Sequence, residues 1–284
     1  MRRKELELRL TKQLQENMKM GWSVSAETDL AKLIGDMLIC IGSPNPYLRD
    51  ELIYESFCKI VANHHITTEK MKEILLELLN EDYLFCDIKN PQEHDNVFKR
   101  TFSILVITVI LDENNKQQFL SKSDFDNTFE KILEYLYAET DLRGYVLIKG
   151  WAHSVAHTAD AMCSLAVCKY SDSQKLKLLL SVIRDKIHVD YYTYIHKEDD
   201  RLINAVMEVF KRSLLSEEYI KEWILSLADV KKLNLYPQDG HLFANCKLFL
   251  QSLYFRMKTD YPIYADTAEQ ALKMLYTLKF YNHS

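Results

Sequence analysis

Ser171-Asp-Ser-Gln-Lys-Leu-Lys-Leu-Leu-Leu-Ser-Val-Ile-Arg-Asp-Lys-Ile187 sets the fold class of this chain. Leu176, Leu179, Leu180, Ile183 and Ile187 recur at the three- and four-residue steps that line one face of an α-helix. Ser171 with Gln174 has the spacing of a capping box, which marks where such a helix starts. The same period returns at Met71, Ile74, Leu75, Leu78 and Leu79, behind the candidate caps Thr67 and Thr68. Across residues 104–111 the chain is apolar on every side, the mark of a buried helix.

Working outward, the pattern predicts about twelve helices. The first three cover residues 3–19, 29–41 and 47–63, the third following the breaker Ser43-Pro-Asn-Pro46. Pro91 and Asp95 precede the fifth, and Ser123 with Asp126 opens the sixth. Gly144 and Gly150 bracket a loop, and the seventh helix carries His153. Later helices start at Ser171, Glu198, Ser216, Asp239 and Pro262. Residues 189–195 are the one β-like passage, and they read as an extended, tyrosine-rich loop because they stand alone.

Six Gly and five Pro make up about 4% of 284 residues, against a usual roughly 12%, so few turns are available for a β-protein. A hydrophobic fraction of 48% with 27% charge is that of a folded chain. Twelve helices over this length give a helical pair about every 47 residues, at the upper edge of the HEAT and armadillo periods. The expected fold is all-α, with the helices antiparallel in a HEAT/armadillo-like α-α superhelical array forming one domain, 1–284. An irregular bundle is the alternative.

A formal charge of −5 argues against a nucleic-acid partner. Arg2, Arg3, Lys4, Arg9 and Lys12 alternate with Glu5 and Glu7 and read as a solvated helix face. Six cysteines without a CxxC pair read as reduced thiols. The opening residues lack an apolar leader, and the longest apolar run is too short for a bilayer. A cytoplasmic protein without a membrane partner is expected.

Candidate chemistry lies in Arg143-Gly-Tyr-Val-Leu-Ile-Lys-Gly-Trp-Ala-His-Ser-Val-Ala-His-Thr-Ala-Asp160. His153, His157 and Asp160 stand at i, i+4 and i+7, one polar stripe on a helix. Two imidazoles a turn apart occur in helical zinc sites, and Asp160 would add a ligand or orient His157. Ser154 stands where a zincin carries Glu. The same stripe suits a polar ligand, a proton transfer or a packed helix interface, and these alternatives stay open. There is no Gly-x-Ser-x-Gly elbow and no Gly-rich phosphate loop. Cys163 is about 15 Å along the helix from His153.

If neighbouring helices alternate in direction, the odd-numbered ones begin at one end. That parity gathers Tyr47, Arg49, Asp50 and Tyr54 with Trp151, His153 and His157. It adds Glu198, Asp199 and Arg201, then Asp239, His241 and Asn245, with Tyr192 nearby. Acidic residues in a first turn also complement the helix dipole, and for Glu198, Asp199 and Asp239 that reading remains open.

The string from Arg143 to Asp160 resembles the signature of an uncharacterised bacterial family, domain of unknown function 2785, found largely in Gram-positive species. Glu198-Asp-Asp-Arg-Leu202 resembles its second motif and Tyr47-Leu-Arg-Asp-Glu51 an upstream one. The resemblance spans most of the chain; it implies a helical fold and carries no activity with it.

The expected function is therefore a concave polar and aromatic groove that binds a small anionic or peptide ligand without a cofactor. Arg143, Arg201, His153 and His157 would donate, Trp151 and Tyr192 would form a wall, and Arg49, Asp50, Asp160, Glu198 and Asp199 would line it. A metal-assisted hydrolase is the alternative, with His153, His157, Asp160 and Asp199 around a divalent metal such as zinc. A protein-interaction scaffold with no small-molecule site is the third.

Overall fold

A computed structural model describes residues 2–22, 29–90 and 94–278; Pro91 lies outside them. The chain is all-α, with twelve α-helices among the described residues and one minimal β-hairpin. It divides into two compact units, Met1–Ser164 and Leu165–Ser284.

The first unit holds α1 (Arg2–Lys19), α2 (Leu30–Cys40), a π-helical segment (Tyr47–Tyr54), α3 (Glu55–Ala62), α4 (Thr68–Leu78), α5 (Asn96–Gln117) and α6 (Lys122–Ala138). The hairpin strands β1 (Tyr145–Val146) and β2 (Gly150–Trp151) follow, and the division falls inside α7 (Ser154–Val167). Helix α5 is the core of this unit: Ile104, Val106, Ile107, Ile110 and Leu111 are buried, and α3, α4 and the π-helical segment pack on it. Its apolar surface runs all round, so neighbours must cover more than one side. Arg100 on α5 makes a buried bidentate pair with Glu139 at 2.7 and 2.9 Å, and Tyr135 Oη donates to the same carboxylate at 3.0 Å. A buried carboxylate so fully hydrogen-bonded ties the end of α6 to α5.

The second unit holds α8 (Ser173–Ile187), α9 (Glu198–Lys211), α10 (Glu217–Ser226), α11 (Gln238–Met257) and α12 (Pro262–Thr277). Helix α8 packs on α9 and α10, α9 on α11, and α12 on both α10 and α11. Residues 189–195 form no strand. No helix among the described residues is long and apolar enough to cross a membrane.

Several local expectations are corrected. The sixth helix is capped by Ser121, whose Oγ accepts from Asp124 N at 3.1 Å while Asp124 Oδ2 accepts from Ser121 N at 3.2 Å. Both Ser-x-x-Asp pairs exist in the sequence, and Asp124 also binds Lys72 at 2.7 Å. The eighth helix is capped by Asp172, which accepts from Lys175 N. The Ser171 hydroxyl instead donates to Leu165 O at 2.6 Å, so a last-turn carbonyl of the preceding helix takes the group a capping box would use. Residues 47–54 are π-helical; buried Leu48, Leu52 and Ile53 have a spacing that fits an α-turn equally well, so the pattern carried no sign of it. The loop bracketed by Gly144 and Gly150 contains paired strands, Tyr145 opposite Trp151 and Val146 opposite Gly150. Two residues per strand are too few for a period of two to show.

Candidate functional site

The site is built on Arg49. Asn45 Oδ1 accepts from Tyr47 N at 3.0 Å and starts the π-helical segment, whose first turn carries Arg49 into a fully buried position. There its Nη1 donates to Ser43 O at 2.7 Å and its Nη2 to Lys149 O at 2.8 Å. Nε lies 2.7 Å from Asp50 Oδ1. The guanidinium is held between the rings of Phe98 and Phe102, at 4.2 and 4.6 Å. Planar donors in a fixed fork flanked by two π-faces make a site only arginine fills. Burial pushes Asp50 up from 3.8 to about 6, against the pull of Arg49.

This buried charge fixes the hairpin. Gly150 has φ +79, and a Cβ there would stand 2.9 Å from Pro46 Cβ and 3.1 Å from Arg49 Nη2. Glycine is thus required twice, for its dihedral and for the close approach. Val146 packs against Val97, Phe98 and Ala152, and Lys149 pairs with Asp95 at 2.7 Å. Arg143 forks onto Asp141 at 2.8 and 2.6 Å, and the Asp141 carbonyl accepts from Ser154 Oγ at 2.6 Å.

His153 is not inside the seventh helix. It has φ +48, and its carbonyl accepts from His157 N at 2.9 Å, so it stands at the cap just before α7. A left-handed non-glycine residue is uncommon, and histidine is among those that tolerate it. The rings still meet. His153 stacks on Trp151 at 4.4 Å and 22°, and lies edge-on to His157 at 5.7 Å. His157 is buried and lies edge-on to Phe102 at 5.4 Å, and Phe102 meets Tyr54 at 6.5 Å. Burial raises the Tyr54 phenol, helped by Cys58 and by the charge of Asp160. Asp112 is raised by burial and by Asp160, while Ser164 Oγ donates to it and pulls the other way. Among the described residues no group of three His, Cys, Asp or Glu side chains is placed to hold a metal.

Tyr192, Glu198, Asp199 and Arg201 belong to the second unit and are anchored inside it. Asn245 organises their surroundings: its Oδ1 accepts from Tyr194 N at 3.0 Å, and its Nδ2 donates to Tyr192 O at 2.8 Å and Val189 O at 3.3 Å. Tyr194 Oη reaches Lys186 O at 2.9 Å, and its ring meets that of Tyr192 at 6.0 Å. Glu198 is buried, which raises its pKa, and its Oε2 accepts from His196 N at 2.8 Å. Asp199 accepts from Ser252 Oγ at 2.7 Å, and Asp239 accepts from Leu233 N at 2.7 Å. Arg201 continues the first turn of α9 through its backbone bond to Lys197 O. These acidic first-turn residues therefore have structural partners.

The sequence pattern did not single out Phe98, Phe102 or Asp141, and it marked Asp95 only as preceding the fifth helix. Their only signal was membership of apolar runs or loops, which says nothing of what they touch. Asn45 was visible within the breaker it occupies.

The family described as "Protein of unknown function (DUF2785)" matches residues 84–255. No curated protein matches the chain, and no solved structure matches it.

Proposed function

We propose that this chain, which belongs to the DUF2785 family, is a binding protein that recognises a peptide segment across its hairpin and the adjoining Trp151–His153–His157 rings. One observation carries this. The hairpin tip holds Leu147 and Ile148 out at 79% and 82% exposure, flanked by exposed Tyr145 and Trp151. Ile148 keeps that position at φ +70. A β-branched residue there is strained by about 1–3 kcal/mol, and such strain persists where the surroundings over-determine it and often where function requires it. Here the surroundings are Arg49, Gly150 and the Lys149–Asp95 pair. Exposed apolar and aromatic groups beside imidazoles suit an extended peptide, which offers side chains to the one and carbonyls to the other.

A small anion is the second reading, favoured by the imidazoles beside the first turn of α7. Arg49 and Arg143 contribute little to it, because Asp50 and Asp141 hold them. The six free cysteines support a reducing, cytoplasmic setting. In the second unit, the packing of α8 on α10 and α9 on α11 supports a HEAT-like arrangement of its helices.

Selection of a random displayed peptide library on the full chain tests the proposal. Selected peptides are expected to lose about tenfold or more in affinity for I148D, W151A and H153A variants whose circular dichroism is unchanged. Peptides indifferent to all three substitutions overturn it. Saturable binding of phosphate or acetate at His153, with no peptide selected, replaces it by the second reading.

A further inference from the structure

Away from the hairpin, the first unit contains a cavity of about 600 Å³ whose lining includes Arg3, Ile39, Glu77, Asp82, Tyr83 and Lys99. It lies where α1, the end of α2, the turn after α4 and the start of α5 meet. Gly42, just past α2, determines how closely they meet: a Cβ there would stand 2.5 Å from Lys99 Cβ and 2.8 Å from its Cα. The chain after α2 thus approaches α5 as nearly as a missing side chain permits, and Ile39 is left 52% exposed on the cavity wall.

The charges around this space are held apart. The Lys99 ammonium sits over the Tyr83 ring at 4.8 Å, and Tyr83 Oη donates to Glu77 Oε1 at 3.0 Å. Among the described residues Lys99 meets no carboxylate and Asp82 no cation, while Arg3 has only a 3.4 Å contact with Glu7. Elsewhere on this surface opposite charges pair freely, as in Lys70 with Glu73 at 2.9 Å and Lys221 with Glu217 at 2.6 Å. Two cations and two carboxylates that face one concavity without neutralising one another are complementary to a ligand that carries both charges. Leu6 joins Ile39 in giving the same cavity an apolar side. Its volume falls in the range of small-molecule sites, about 300–1,000 Å³.

We propose that this cavity is a binding site for a small zwitterion with an apolar side chain, the chemistry of a free α-amino acid. Lys99 and Arg3 take its carboxylate, Asp82 and the remaining oxygen of Glu77 take its ammonium, and Ile39 and Leu6 receive its side chain. The site is separate from the hairpin and stands or falls independently of it.

Isothermal titration of the full chain with L-leucine, L-methionine and L-phenylalanine tests this, alongside two single-charge analogues of leucine, 4-methylpentanoate and 3-methylbutylamine. At least one amino acid is expected to bind saturably, and each analogue of leucine about tenfold more weakly than leucine. Lys99→Ala should weaken leucine about tenfold and leave 3-methylbutylamine unchanged, while Asp82→Asn should weaken leucine and leave 4-methylpentanoate unchanged. Asp82 is exposed and Lys99 half-buried, and unchanged circular dichroism of both variants is the check that the fold is kept. Absence of saturable binding by all three amino acids up to about 10 mM overturns the proposal, as does binding that neither variant alters.

Discussion

Arg49 Nη2 donates to the carbonyl oxygen of Lys149 at 2.8 Å, across 100 residues of chain. This one bond ties the π-helical segment to the hairpin, and through Gly150 and Trp151 it sets where the His153 ring stands. The most deeply buried cation among the described residues is therefore a positioning group.

Arg49→Ala is expected to destabilise the chain by about 3–5 kcal/mol, since it strands the Ser43 and Lys149 carbonyls and leaves the Asp50 carboxylate without its cation. Arg49→Lys should recover only part of this, because one ammonium cannot reach both carbonyls and lie between Phe98 and Phe102. Urea denaturation of the three proteins measures it; equal midpoints for wild type and Arg49→Lys would contradict the role given to the guanidinium.

Asp50 makes stability depend on pH in a defined window. Burial lifts its pKa from 3.8 to about 6, so the folded chain holds this proton more tightly than the unfolded one. The stabilisation is full below about 3.8 and is lost as pH rises through about 6. Unfolding free energy of wild type relative to Asp50→Asn should fall by about 1–3 kcal/mol between pH 4 and pH 7. A flat difference across that window refutes the assignment.

The start of α6 offers a test of the corrected cap. Ser121→Ala should cost about 1 kcal/mol, while Ser123→Ala, two residues on and exposed, should stay within about 0.5 kcal/mol of wild type. Thermal denaturation distinguishes them, and the reverse order would restore Ser123 as the cap.

Asn245→Ala removes three hydrogen bonds to residues 189–194 and leaves Tyr194 N, Val189 O and Tyr192 O to find other partners. A loss of about 2–4 kcal/mol is expected, with proteolysis appearing first at residues 189–195. Unchanged protection of that loop would show that its tyrosines hold it without Asn245.

The helical class, most of the twelve helices and the burial of α5 were legible from periodicity alone. An amphipathic or all-apolar helix repeats its message every turn, and scarce Gly and Pro leave little room for another fold class. The segment from Arg143 to Asp160 was also marked, because Gly, Trp and His in close order are rare in a plain helix. Less legible was which of two serines caps α6, since Ser121-x-x-Asp124 and Ser123-x-x-Asp126 are locally equivalent and the choice went to the pair that also meets Lys72.

What the amino-acid order determined by itself is whatever depends on neighbours within about four residues: helix faces, breakers, and the polar identity of His153, His157 and Asp160. Tertiary structure decided the rest. It turned His153 to a left-handed cap, made a hairpin of an apparent loop, buried Arg49 between two phenylalanines, and gave Glu198, Asp199 and Asp239 internal partners. Glu198 and Asp239 find their partners nearby, in His196 N and Leu233 N, but the seating of Arg49 against Phe98 and Lys149 and the bond of Asp199 to Ser252 join residues far apart in sequence, and a residue's own neighbours carry no trace of what such a contact will supply.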